Sequence, residues 1–241
     1  TSLGVETLLN RIKTDLKDTR LFAQKQEGYY SVYIHPVGGQ FKLDDMKTLL
    51  DELDNCDKAS IRFAMSEGIF IINLNGEEAE RILEISKPFS ACTSIEESVS
   101  CIGVPICQMG IQNSQKMLHE IIDYFKENSN GDNTILNTIP KIHISGCMNS
   151  CGVHQIGSIG LTGKKKKVDG EMYDSFEIFV NGELGLGKTR LGKSLGDFKA
   201  CDIPKFLFEI GEKVANSDLD FYTYYAANED EVKEIAAKYA V

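Results

Sequence analysis

GYYSVYIHPVGGQFKLDDMKTLLDELDNCDKASIRFAMSEGIFIINLNGEEAERILEISK fills residues 28–87 and decides the fold of the first part of the chain. GYYSVYI (28–34) alternates and is rich in aromatics, the pattern of a half-buried strand. HPVGGQ (35–40) is a loop, and Leu43, Met46, Leu49, Leu50 and Leu53 form a helical stripe. ASIRFAM (59–65) and IFIINL (69–74) are strands joined by the tight SEG turn. Asn75 followed by Glu78 predicts a capping box that opens a helix ending near Pro88. The order is β-α-β-β-α.

That order predicts a ferredoxin-like half-domain, one half of a split unit whose hairpin edge needs covering. Upstream, Val5, Leu8, Leu9, Ile12 and Leu16 predict an amphipathic helix over residues 5–20. Downstream, residues 91–98 are expected to be a linker. An α/β region should follow, with a helix over 112–126, a strand at 141–145, strands at SIGLTG and SFEIFV, and a helix from Pro204. A last helix should be capped by Asn228 with Glu231. The expected class is α+β, with domains at 1–90 and 96–241.

Composition sets limits. The net charge of −10 disfavours nonspecific nucleic-acid binding. No apolar run approaches the ~20 residues that span a bilayer. Seven cysteines without a secretory leader point to a reducing, cytoplasmic compartment, where thiols stay reduced, bind metal or do chemistry. A chain that starts at Thr1 rather than Met is expected to be part of a longer protein.

Four of those cysteines are paired: Cys101 and Cys107 in SCIGVPICQMG, Cys147 and Cys151 in ISGCMNSCGVHQIGSIGLTG. Four soft ligands suit zinc or an iron–sulfur centre. Zinc knuckles favour C-x2–4-C, so the C-x5-C of the first pair is wide for one. Glycines frame the second pair and allow backbone to approach a bulky group. The first pair precedes a helix, whose N-terminal end stabilises negative charge. Cys56, Cys92 and Cys201 stand alone and read as ordinary thiols, and His143 and His154 as strand or loop histidines rather than zinc ligands.

C-I-G-V-P-I-C, G-C-M-N-S-C-G-V-H and I-G-L-T-G resemble the nitrite/sulfite reductase haemoprotein family, as do G-Y-Y-S-V-Y-I-H-P-V-G-G and I-R-F-A-M-S-E-G upstream. The resemblance implies that Cys101, Cys107, Cys147 and Cys151 ligate a [4Fe–4S] cluster, and that Cys151 also bridges to the iron of sirohaem. Asn149 and Arg62 match cofactor-binding positions. The chain departs from the family pattern at Met148, Ala64 and Glu67, and Glu67 would repel a carboxylate-rich macrocycle unless turned away. The implied activity is six-electron reduction of sulfite to sulfide or nitrite to ammonia. The implied role is the C-terminal half-repeat, partnered by an N-terminal half or a second copy, by an electron donor such as ferredoxin, and by a small anionic substrate. Local cations for that anion would be Arg62, residues 164–167, Lys188 or Arg190. A cluster-only electron-transfer module is the alternative, followed by a zinc-stapled one.

Two further patterns compete. Gly182 to Thr189 fits the phosphate-binding G-x4-G-K-T, but a true one must open a helix, and Gly192 and Gly196 oppose one here. The lysine run at 164–167 reads as a solvated loop, or as a docking patch for an acidic donor.

Overall fold

The computed structural model describes residues 17–241. The stripe from Val5 to Leu16 lies outside them. The described chain divides into two compact units, with the division between Ala91 and Cys92.

The first unit is an antiparallel sheet in the order β1 (Leu21–Ala23), β2 (Tyr30–Ile34), β4 (Ile69–Leu74), β3 (Ser60–Phe63). Helices α1 (Leu43–Leu53) and α2 (Gly76–Ser86) bury Leu49, Ala79, Ile82 and Leu83 against Val32, Ile34, Ile69, Ile71 and Leu74. The capping box forms: Glu78 N–H donates to Asn75 Oδ1 at 3.0 Å, and Asn75 N–H to Glu78 Oε2 at 2.8 Å. Residues 17–20 are not helical, which corrects the end of the expected N-terminal helix. Buried Arg20 instead donates to Ser86 Oγ (3.1 Å) and Leu83 O (3.2 Å), completing the exposed carbonyls at the end of α2. This anchors β1, which covers the β2 edge, so that β1 and β3 are the two edge strands of the sheet.

The second unit is a mixed sheet in the order β5 (Val99–Ser100), β6 (Ile142–Ser145), β7 (Ile159–Val168), β8 (Glu171–Val180), β9 (Lys193–Lys199). The first three strands are parallel and the last pairs antiparallel. Helices α3 (Ser114–Asn128) and α4 (Ile203–Ala215) supply Ile121, Phe125 and Phe206 to the core with Leu161, Phe176, Ile178 and Phe198. Residues 91–98 are not a linker. Ile95 is fully buried, Glu96 and Glu97 pair with Lys126 and Lys141, and Ser98 Oγ accepts from Ile142 N–H at 2.9 Å. Helix α5 (Phe221–Ala227), capped by Asp220, precedes α6 (Glu229–Tyr239). Asn228 makes no side-chain cap there, and its amide donates back to Tyr224 O at 3.0 Å.

The lysine run is strand, not loop. Asp169 (φ 50°) and Gly170 (φ 92°) make the two-residue turn that zips β7 to β8. Three consecutive lysines then meet carboxylates across the sheet. Lys164 pairs with Glu177 (2.6 Å) and Asp197 (3.1 Å), Lys165 with Asp174, and Lys166 with Asp197 (2.8 Å).

Past β6 the chain folds back on its own strand. His143 Nδ1 donates to Gly152 O at 3.0 Å, while Ser145 Oγ accepts from Gly152 N–H at 3.1 Å and pairs with His154 Nδ1 at 2.9 Å. Burial holds both histidines below the usual imidazole pKa. For His143 the bond to Gly152 opposes this and Lys141 adds to it, and for His154 the Glu177 carboxylate opposes it.

Two outcomes follow from these contacts. Asn75→Ala should cost about 1 kcal/mol of stability, read by urea denaturation. Because both histidines bind a proton less readily folded than unfolded, stability at neutral pH should fall as pH drops below their unfolded value of 6.5, and level off below the folded pKa values. Urea midpoints of metal-free protein between neutral and acid pH check this, and His143→Gln should flatten the profile.

Candidate metal centre

The two cysteine pairs leave the carboxyl ends of neighbouring parallel strands. Cys101 follows β5 directly, and Cys147 follows β6 after Gly146. Such strand ends are where open α/β sheets gather their ligands.

Gly146 joins the two loops. Its N–H donates to Cys101 Sγ at 3.1 Å. Its carbonyl accepts from Ile111 N–H (3.0 Å) and Gln112 N–H (2.8 Å), closing the first loop against the second. A side chain on Gly146 would sit 2.6 Å from Gln112 O, and one on Gly163 only 2.5 Å from Gly146 O. Gln112 is anchored in turn, its Nε2 donating to Lys164 O (2.6 Å) and Asp174 Oδ1 (2.9 Å). The clamp on Gly152 fixes the far end of the second loop, just after Cys151, where a Cβ would lie 2.2 Å from Ile144 O.

Cys101, Cys107, Cys147 and Cys151 line one cavity of about 80 Å³, together with Ile102, Gly103, Gly110, Ser145, Gly146 and Asn149. Cys147 is buried, Cys101 and Cys107 are half-buried, and Cys151 is exposed. The loops also expose Ile106, Met109 and Met148, each at 70% or more. The four thiols share the wall of one cavity. Among the described residues no three His, Cys, Asp or Glu side chains are placed to hold one ion. A single zinc needs its sulfurs each about 2.3 Å from one centre. Four thiols around a small cavity walled largely by glycine and sulfur suit a compact multi-iron cluster, and the residues present fit that group.

The other candidates divide. Arg62 sits on β3 of the first unit, exposed, with Nη1 donating to its neighbour Ile61 O at 3.0 Å. Glu67, in the same unit, takes φ 66° and lies against Gly39, where a Cβ would meet Glu67 Oε2 at 3.1 Å. His143 and His154 serve the clamp. Cys56 Sγ contacts Glu52 O at 3.6 Å, and burial pushes its thiol pKa up, while Cys92 and Cys201 are exposed. No helix opens at Thr189. Its hydroxyl donates to Gly185 O at 3.0 Å, and the chain runs on into β9. The phosphate-loop pattern is therefore a turn. Sequence reasoning missed Ser114, whose Oγ lies 3.2 Å from Cys101 Sγ; a serine opening a helix gives no signal of that role.

Residues 22–88 match the nitrite/sulfite reductase ferredoxin-like half domain. The ferredoxin–nitrite reductase of Synechococcus elongatus is 26% identical over 193 residues, covering 78% of this chain and 36% of that protein. The sulfite reductase [NADPH] hemoprotein beta-component of Bacillus licheniformis is 24% identical over 186 residues, covering 67% and 32%. The chain thus spans about a third of the length of these relatives. In fold it is similar to the NirA protein of Mycobacterium tuberculosis, with TM-score 0.76 and 18% identity over 91% of this chain and 42% of that one. It is also similar to dissimilatory sulfite reductase I, with TM-score 0.64 and 12% identity over 88% and 70%. Residues 22–88 thus match the ferredoxin-like half domain of nitrite and sulfite reductases, and the chain as a whole is similar to proteins of that family.

Proposed function

We propose that this chain is the cofactor-holding half of a sirohaem- and [4Fe–4S]-dependent nitrite or sulfite reductase. The observation that carries this is the single cavity walled by Cys101, Cys107, Cys147 and Cys151. When bound, the cluster and sirohaem would relay to the substrate the six electrons, drawn from the external donor, that convert nitrite to ammonia or sulfite to sulfide.

The chain's own residues have separate tasks. Cys147, which is buried, and the half-buried Cys101 and Cys107 would hold the cluster. Cys151, which is exposed, would hold the cluster too and, by the family resemblance, would also serve sirohaem. Asn149 stands in the same wall. The apolar Ile106, Met109 and Met148 favour a covered site over a cluster open to water, so they support sirohaem or a partner half above this surface rather than a cluster-only module.

A reductase must also bind an anion and feed it protons. Lys164, Lys165, Lys166 and Arg190 already pair with carboxylates. They are poorly placed to serve a substrate, and the same pairs weaken the lysine run as a donor-docking patch. Substrate-side cations on this reading come mostly from a partner half, from the same reductase or a second copy, with Arg62, Lys167 and Lys188 as the local candidates that have no carboxylate pair among the described residues. Edge strand β3, with Phe63 89% and Met65 100% exposed beside it, leaves room for such a partner. Arg62, on that strand, is a cofactor-binding candidate by the family resemblance alone. Ferredoxin is the proposed donor, in keeping with the name of the cyanobacterial relative.

Anaerobically prepared protein should contain iron and acid-labile sulfide in equal amounts. With sirohaem supplied, it should show chlorin-type visible bands. Cys147→Ala should lose the iron and sulfide, and Cys201→Ala should keep them. Zinc in place of iron, or iron retained by Cys147→Ala, would overturn the proposal.

A further inference from the structure

We propose that Ser114 is a positioning residue that sets the reduction potential of the cysteine-bound centre, by donating its hydroxyl to Cys101 Sγ once that sulfur holds metal. This rests on the cluster reading above. Ser114 is the first residue of α3, and it is fully buried. Its Oγ stands 2.5 Å from Cys101 O and 3.2 Å from Cys101 Sγ.

A hydroxyl has one proton to give. While Cys101 is a thiol both contacts are satisfied, with S–H pointing to Oγ and O–H to the carbonyl. Metal ligation removes the thiol proton. Sulfur and oxygen would then face each other lone pair to lone pair, unless the hydroxyl turns to the sulfur. The turn leaves no orphaned carbonyl, because Gln115 Nε2 donates to Cys101 O at 3.3 Å while also holding Ser100 O at 2.7 Å. Gly103 keeps the hydroxyl's place open, since a Cβ there would lie 2.5 Å from Ser114 Oγ. With Gly146 N–H at 3.1 Å, the Cys101 sulfur would then accept two hydrogen bonds.

Hydrogen bonds to a ligating sulfur stabilise the more negative, reduced form and raise the potential. Mediated redox titration of the iron–sulfur protein, followed by electron paramagnetic resonance, tests this. Ser114→Ala should keep its iron and sulfide but shift to more negative potential, by about tenfold in the one-electron equilibrium, or about 59 mV. Gln115→Leu should shift it the same way by less, because the Cys101 carbonyl then competes for the serine proton. An unchanged potential in Ser114→Ala with the cluster intact overturns the proposal. If Ser114→Ala loses the cluster, an unchanged potential in Gln115→Leu overturns it instead. Wild-type protein without iron and sulfide would sink the cluster reading itself, and this proposal with it.

Discussion

Everything at the candidate centre hangs on one peptide group pair, the N–H and carbonyl of Gly146. The N–H reaches a cysteine of the first loop, and the carbonyl holds the end of that loop by two amides. Neither contact survives a side chain at this position, because Gln112 O already lies 2.6 Å from where a Cβ would go. The loops therefore meet through backbone. Residues far apart in the chain are brought to one cavity without any bond between the cysteines themselves.

The sheet makes that contact available. Pairing of β6 with β7 sets Ser145 opposite Thr162, and it brings Gly163 against Gly146 at the next step. Parallel pairing of β5 with β6 delivers both loops to the same end of the sheet. The histidine and serine clamp then returns the second loop to its own strand. The result is a hydrogen-bonded rim around one cavity, the arrangement a preformed cofactor site requires.

Local chemistry was legible where it is local. Asn75 and Glu78 form their capping box because both halves lie within one helical turn, and the cysteine spacing marked the loops that line the cavity. The lysine run misled because consecutive charges look solvated. Their partners Glu177 and Asp197 lie on other strands, and the Asp169–Gly170 turn that aligns them was passed over. Residues 91–98 looked like a linker for the same reason, since Lys126 and Lys141, which pair with their glutamates, are distant in sequence. Asn228 shows the converse: the capping pattern is present, but its amide donates to Tyr224 O. Gly146 stands in the quoted glycine-framed motif, but Ser114 carries none, and the role of each exists only once the fold sets it beside Cys101.

The central claim is that the four cysteines enclose a cluster of several irons. X-ray absorption at the metal edge of anaerobically isolated protein tests it most directly. The account predicts an iron edge, with sulfur as nearest neighbour and a second shell of iron. A zinc edge with sulfur neighbours alone, or iron without an iron neighbour, would contradict it.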